Sequence, residues 1–176
     1  DYIGSQAVLA LKDAGHTPVV LDHISTGLTA AVPEGVALER GEVGDRAFVA
    51  GALRRHGAGA VMHFAGSIIV PESVADPTKY FRNNTAASLA LIEACLEAGV
   101  GPFVFSSTAA VYGAPEKPRV AEDDPTSPIN PYGASKLMVE RMLFDTARAR
   151  PGFRPVALRY FNVAGAHPGG QIGQAT

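Results

Sequence analysis

Tyr132 and Lys136 stand four residues apart in a stretch with helical period, so they share one helix face. A tyrosine ionises near pH 10 and is a poor base at neutral pH. An ammonium a few Å away favours the phenolate and makes the tyrosine a usable acid and base toward an alcohol or ketone. Such a role is worth about 10²–10⁴ in rate. The plainer reading of the pair is a surface contact between neighbouring helical turns. Position favours chemistry, because the pair opens the helix that follows a strand ending in Ser106-Ser107-Thr108. Thr108 supplies a hydroxyl that could hold the same substrate oxygen.

Other strand ends point to a nucleotide. Parallel sheets bind ligands at the carboxyl ends of their strands. Asp22 closes the apolar run Pro18-Val19-Val20-Leu21, where a carboxylate suits the two hydroxyls of a ribose and repels a 2′-phosphate. Taken alone, it reads more readily as a solvated strand-end charge. Ala65 and Gly66 have almost no side chain, so a ligand could lie against backbone there. Asn162 follows the last strand.

The remaining candidates exclude several classes. His16, His23, His56, His63 and His167 have no zinc-ligand spacing, so no metal is expected. His63, inside a strand, reads as a buried structural histidine. The single cysteine, Cys95, lies in an apolar helix and reads as core; it rules out an internal disulfide framework. No Gly-x-Ser-x-Gly elbow is present. Lys plus Arg is 15 against 17 Asp plus Glu, a net charge of −2, which gives no reason to expect nucleic acid or an anionic membrane as partner. No apolar run approaches the ~18 residues of a membrane span, and no secretory signal is visible. A reducing, cytoplasmic compartment is the expectation.

Elements that alternate in period must position these groups. A helix carries Ile3, Ala7, Val8, Leu11 and Ala14 and stops at Gly15. Strands follow over 18–22 and, more briefly, 36–39, with a loop between them. Asp45 caps a helix that closes near Gly57. A strand covers Ala60 to Phe64, and a long helix runs from about Thr78 to Ala98, buried on more than one side from Ala86 onward. Phe103 to Phe105 is a strand, 113–131 a proline-rich loop, Tyr132 to Ala149 a helix and Val156 to Tyr160 the last strand. Strict alternation argues for a single α/β domain, a parallel sheet with helices on both faces. The 176 residues, 47% hydrophobic and 18% charged, suffice for one such core.

In order along the chain, Tyr2-Ile3-Gly4-Ser5, Leu21-Asp22, His63-Phe64-Ala65-Gly66, Ser106-Ser107-Thr108-Ala109-Ala110-Val111-Tyr112-Gly113, Pro131-Tyr132-Gly133-Ala134-Ser135-Lys136 and Arg159-Tyr160-Phe161-Asn162 resemble the extended short-chain dehydrogenase/reductase family. The resemblance covers essentially all residues. It implies a Rossmann-type doubly wound parallel sheet of order 3-2-1-4-5-6 and NAD as a tightly held cofactor. Within the family the chain is most similar to members that oxidise and re-reduce carbon 4 of a UDP-hexose, interconverting UDP-glucose and UDP-galactose. Dehydratase members place acidic residues just after the Ser/Thr, where this chain has Ala109 and Ala110. Another UDP-sugar, UDP-N-acetylglucosamine or a UDP-pentose, is an alternative substrate. A non-catalytic dinucleotide-binding regulator is a further alternative, against which the Tyr-x-x-x-Lys pair argues.

By the same resemblance, Tyr132, Lys136 and Thr108 are catalytic. Tyr2, Ile3, Gly4, Asp22, His23, Glu42, Val43, Phe64, Ala65, Gly66, Asn83, Ser106 and Tyr160 join Tyr132 and Lys136 around the cofactor. Phe161 and Asn162, with Thr108 and Tyr132, contact the UDP-sugar. The helices around 86–98 and 132–149 would form a homodimer interface. The chain departs from the family pattern at Asp1, where a glycine is usual, and at Glu42, His23 and Ile68, where aspartate, asparagine and lysine are common. The family's first, central strand and most of its carboxy-terminal substrate-binding part are not among the 176 residues, so residues 1–176 read as a partial NAD-binding domain. Two strands would be left with unpaired edges, and the chain made alone would be unstable and inactive.

Overall fold

Local capping chemistry sets the ends of the longer helices. The structure, a computed structural model, describes residues 2–25 and 31–170. Asp45 accepts a hydrogen bond from the Phe48 amide at 3.0 Å and opens helix α2, Arg46–Arg55. Asn130 accepts one from the Gly133 amide at 2.8 Å, Pro131 takes the first turn, and helix α6 runs Pro131–Ala149. Gly99, at φ +75°, ends helix α5, Ala87–Ala98, in the left-handed conformation.

The other elements are helix α1, Tyr2–Asp13; strands β1, Val19–Asp22, β2, Ala37–Arg40, and β3, Val61–His63; short helices α3, Val70–Ala75, and α4, Pro77–Tyr80; and strands β4, Pro102–Thr108, and β5, Arg154–Tyr160. All strand pairs are parallel. β1 pairs with β2, Val19 opposite Ala37. β4 sits between β3 and β5, with Val61 opposite Phe103 and Thr108 opposite Tyr160. This is the expected parallel α/β order.

The sheet is in two pieces, β1-β2 and β3-β4-β5. Among the described residues no strand joins β1 to β3. A cavity of about 800 Å³ lies there, lined by Val19 to Asp22 on one side and Val61 to Ala65 on the other. Helix α1 lays Val8 and Leu11 along the same cavity and buries only Leu9 fully. The gap agrees with the expected lack of a central strand and the two unpaired edges.

The core lies on the three-stranded side, where Val49 and Ala50 of α2, Leu91, Ile92, Ala94 and Cys95 of α5, Phe103 and Phe105 of β4, and Val139 and Leu143 of α6 are buried together. One expectation about the long helix needs correction. Its first half is not α-helical throughout, because residues Phe81–Ala86 form a π-helical turn between α4 and α5. Ser88 donates its hydroxyl to the Asn84 carbonyl near the end of that turn. Helix α5 is buried over a broad face, as expected, but not all round. Leu91, Ile92 and Cys95 face the core, while Leu89 and Leu96 are 45% and 37% exposed. Helix α3 and the 3₁₀ turn Ala109–Tyr112 fall where no helix was expected.

Gly113 closes that 3₁₀ turn at φ 72°, ψ −124°, and a Cβ there would collide with the Ser127 carbonyl oxygen. Gly57, at φ +56°, has open space around it. Gly57→Ala is expected to cost about 1 kcal/mol of backbone strain, and Gly113→Ala at least ~2 kcal/mol. Urea unfolding midpoints check this; equal midpoints for the two variants would contradict the packing described.

Candidate active site

Helix α6 and strand β4 meet at their functional ends. A Cβ on Gly133 would lie only 2.7 Å from the Ala110 carbonyl oxygen, so the start of α6 presses on the turn that follows Thr108. One turn along, Lys136 is 2% exposed and its ammonium donates to the Ser106 carbonyl at 3.0 Å. The same nitrogen lies 5.0 Å from the Phe105 ring centroid. Burial pushes the Lys136 ammonium down to about 8. Thr108 Oγ1 accepts from the Ala110 amide at 3.1 Å, which leaves the hydroxyl hydrogen able to donate elsewhere. Tyr160 is at the level of Thr108 on β5, and burial raises its phenol. Phe161 and Asn162 follow it at the surface.

The loop after β3 completes this wall. Gly66 has φ +151°; a Cβ there would stand 2.9 Å from Asn84 Oδ1 and 3.4 Å from Lys136 Nζ. Only a glycine brings the Phe64-Ala65-Gly66 backbone this close to the lysine. Asn83 Nδ2 donates to Ser67 Oγ at 2.9 Å, which ties Asn83 to the same loop. Ile68, in the place of the family's common lysine, is 67% exposed.

The remaining expected cofactor residues belong to the two-stranded side. Asp22 ends β1 and accepts from the Ile24 amide at 2.7 Å; His23 Nδ1 lies 3.6 Å from the same carboxylate. Ile24 is held at φ 53°, a rare conformation for a β-branched residue, directly beside that carboxylate. Ile3 and Gly4 lie in the first turn of α1, which carries no acidic side chain. The Tyr2 hydroxyl donates to the Gly165 carbonyl, joining that turn to the segment after β5. Glu42 and Val43 follow β2, Glu42 exposed and Val43 against the core. Asp1 lies outside the described residues.

Three groups escaped sequence reasoning. Asn84 is buried and bridges the Gly66 loop to α6: its Oδ1 accepts from the Ser67 amide at 2.7 Å and its Nδ2 donates to Ser135 Oγ at 3.1 Å. Tyr80 stands edge-on to Tyr132, ring centroids 6.4 Å apart. Burial, with Glu72 beside it, pushes its phenol up to about 12, so it stays neutral. Glu140 is buried against Arg159, 2.7 Å from carboxylate to guanidinium. Only Glu140 had a legible signal: it lies four residues beyond Lys136, on the face of Tyr132 and Lys136. His63, as expected, is structural. Its Nε2 donates to Ser88 Oγ at 2.8 Å, and burial lowers its pKa to about 3, so it stays neutral. Among the described residues no cluster of three His, Cys, Asp or Glu is placed to hold a metal ion, and no helix is long and apolar enough to cross a membrane.

Comparison with known proteins places this geometry. The model of the NAD dependent epimerase/dehydratase family matches residues 2–175. UDP-glucose 4-epimerase of Azospirillum brasilense is 58% identical over 175 residues, which is 99% of this chain and 50% of that protein. The crystal structure of UDP-glucose 4-epimerase from Brucella ovis in complex with NAD superposes with a TM-score of 0.94 at 41% identity, over 99% of this chain and 53% of that one. The Bifidobacterium longum UDP-glucose 4-epimerase, in complex with NAD+ and UDP, gives 0.90 at 34% identity, over 98% and 54%. The chain spans about half the length of the curated relatives it matches. The strand order, the Rossmann-type fold of these neighbours and the match over nearly every residue agree: the chain belongs to the NAD dependent epimerase/dehydratase family.

Proposed function

We propose that this chain is the NAD-binding and proton-transferring part of an enzyme that interconverts UDP-glucose and UDP-galactose at sugar carbon 4. The observation that carries the reading is the convergence of α6 and β4. It puts a buried lysine, a tyrosine on the same helix face and a threonine hydroxyl at one strand end, beside a glycine that exposes backbone. The residues fit a dinucleotide. Gly66 leaves a cradle that any side chain would fill, and Asp22 offers a carboxylate to ribose hydroxyls. When bound, NAD supplies reversible acceptance of a hydride from the sugar carbon.

The chain's own residues handle the proton. Tyr132 takes the proton from the sugar 4-hydroxyl and returns it to the same oxygen after the sugar has turned over. Thr108 donates a hydrogen bond to that oxygen and fixes its place. Lys136, locked on the Ser106 carbonyl, keeps a positive charge under the tyrosine. Ala109 and Ala110 offer no acid to expel water, so the carbon skeleton leaves as it entered. Phe161 and Asn162 would line the sugar side. The exposed apolar residues Leu89 and Leu96 of α5 and Met138 and Phe144 of α6 fit a homodimer interface, and the reading assigns the enzyme to the cytoplasm.

The test joins this chain to the remaining segments of its Azospirillum brasilense relative and measures conversion of UDP-galactose to UDP-glucose. Turnover is expected, and Tyr132→Phe should lower kcat by about 10²–10⁴ with NAD still bound. A Tyr132→Phe protein that works at the parental rate sinks the proposal. Lys136→Met tests the cost of the buried ammonium. Burial lowers its folded-state pKa to about 8, against about 10.5 unfolded. The penalty is therefore full below pH 8 and relieved as pH rises from about 8 to 10.5. In urea unfolding, Lys136→Met should gain on the parent at pH 7, by up to ~3 kcal/mol, and lose that advantage by pH 10. A difference that does not move with pH would contradict it. Leu89→Arg should shift the joined protein from dimer to monomer in sedimentation velocity; an unchanged dimer places the interface elsewhere.

A further inference from the structure

We propose that Glu140 and Arg159 are positioning residues: a buried ion pair that fixes the rotation and register of α6 against the end of β4, so that Tyr132 and Lys136 meet Thr108. The inference rests on the proposed reaction and adds a requirement to it.

Tyr132, Lys136 and Glu140 repeat every four residues on α6 and share its inner face. Glu140 is 2% exposed. One carboxylate oxygen accepts from the Ser107 hydroxyl and from Arg159 Nε at 3.1 Å; the other accepts from Arg159 Nη2 at 2.7 Å. Ser107 lies between the two β4 residues that matter, Ser106, whose carbonyl holds Lys136, and Thr108. Arg159 is its register partner on β5. The helix is thus pinned at two successive turns on two successive strand residues. Sliding by one strand residue, about 3.3 Å, would break both pins at once.

The free arm of the guanidinium extends the clamp. Arg159 Nη1 donates to the Tyr112 hydroxyl at 2.9 Å and to the Glu122 carbonyl at 3.0 Å, and its carbon lies 4.9 Å from the Tyr112 ring centroid. Tyr112 and Phe161 line a cavity of about 630 Å³ with Lys117 and Arg119, beside the catalytic strand end. One guanidinium therefore holds the helix bearing the acid–base pair and the proline-rich segment over the neighbouring cavity. Stability does not require an ion pair here, since well-packed apolar residues of similar size commonly do as well. Direction is what the pair supplies: a bidentate fork accepts one approach geometry.

The experiment uses the joined protein described above. The double variant Glu140→Met/Arg159→Met removes the fork but fills its space. We expect its melting temperature and NAD affinity to stay near the parent's, KM for UDP-galactose to change less than about threefold, and kcat to fall by about 10- to 100-fold, the scale of a 1 Å misplacement. A double variant that melts and turns over like the parent overturns the inference. Two single variants stand in if the double variant does not fold. Glu140→Gln keeps the length and the acceptor for Ser107 but turns an amide NH2 toward Arg159 Nη2, two donors face to face, so the fork is broken and kcat should fall at least about tenfold. Glu140→Asp keeps the charge, shortens the reach and should also lose at least about tenfold. Single variants with the parental kcat overturn the inference. Tyr132→Phe runs in the same assay: if it is inactive while all Glu140 variants are parental, only the positioning role fails, and if it is active, the reaction assignment itself fails.

Discussion

The buried ammonium of Lys136 on the Ser106 carbonyl is the contact around which the rest of the site is arranged. Taking a charge out of water is costly, and that same burial lowers the lysine pKa. The cost is tolerated because several elements hold the lysine where it is. The face of Phe105 lies below it, Gly66 leaves room beside it, and Asn84 ties the Gly66 loop to the same helix. Remove the glycine's small size or the asparagine's reach, and the lysine has no such pocket. Function and stability pull in opposite directions at this position, as they commonly do at active sites.

The parallel sheet explains why so many distant residues meet. In parallel strands every carboxyl end points the same way. Asp22, Gly66, Thr108 and Tyr160 are far apart in sequence, yet each closes or follows a strand at that edge. The helices then need only correct register. For α6 the register is set by Asn130 at its start, by Lys136 on β4 and by Glu140 with Arg159. The break between β1 and β3 divides labour in the same way. The proton-handling groups belong to the intact three-stranded side with its continuous core. Asp22, proposed to meet the ribose, and the α1 turn belong to the side beyond the cavity.

Much of this was legible beforehand. Hydrophobic period located the five strands and the principal helices, because burial on a sheet leaves a pattern of apolar residues in the chain. Gly15, Asp45 and Gly57 marked helix ends, because caps are local chemistry. The π turn at 81–86 was not legible. It sits around Asn84, whose carbonyl accepts the Ser88 hydroxyl and whose side chain bonds residues 17 and 51 positions away. The exposure of Leu89 and Leu96 was hidden for a related reason: an apolar residue in the sequence does not say whether anything covers it.

The sequence by itself determined the order of elements, the parallel arrangement and the chemical types at the strand ends. Each of these depends on near neighbours or on simple periodicity. It also determined that Tyr132 and Lys136 share a face, since helical geometry alone requires that. Only the tertiary structure decided that Lys136 is buried on Ser106, that Asn84 joins the Gly66 loop to α6, and that Glu140 answers Arg159 across two strands. The physical reason is range. Those contacts join residues 17 to 51 positions apart, and their partners are fixed by the register of packed elements, which no local pattern encodes.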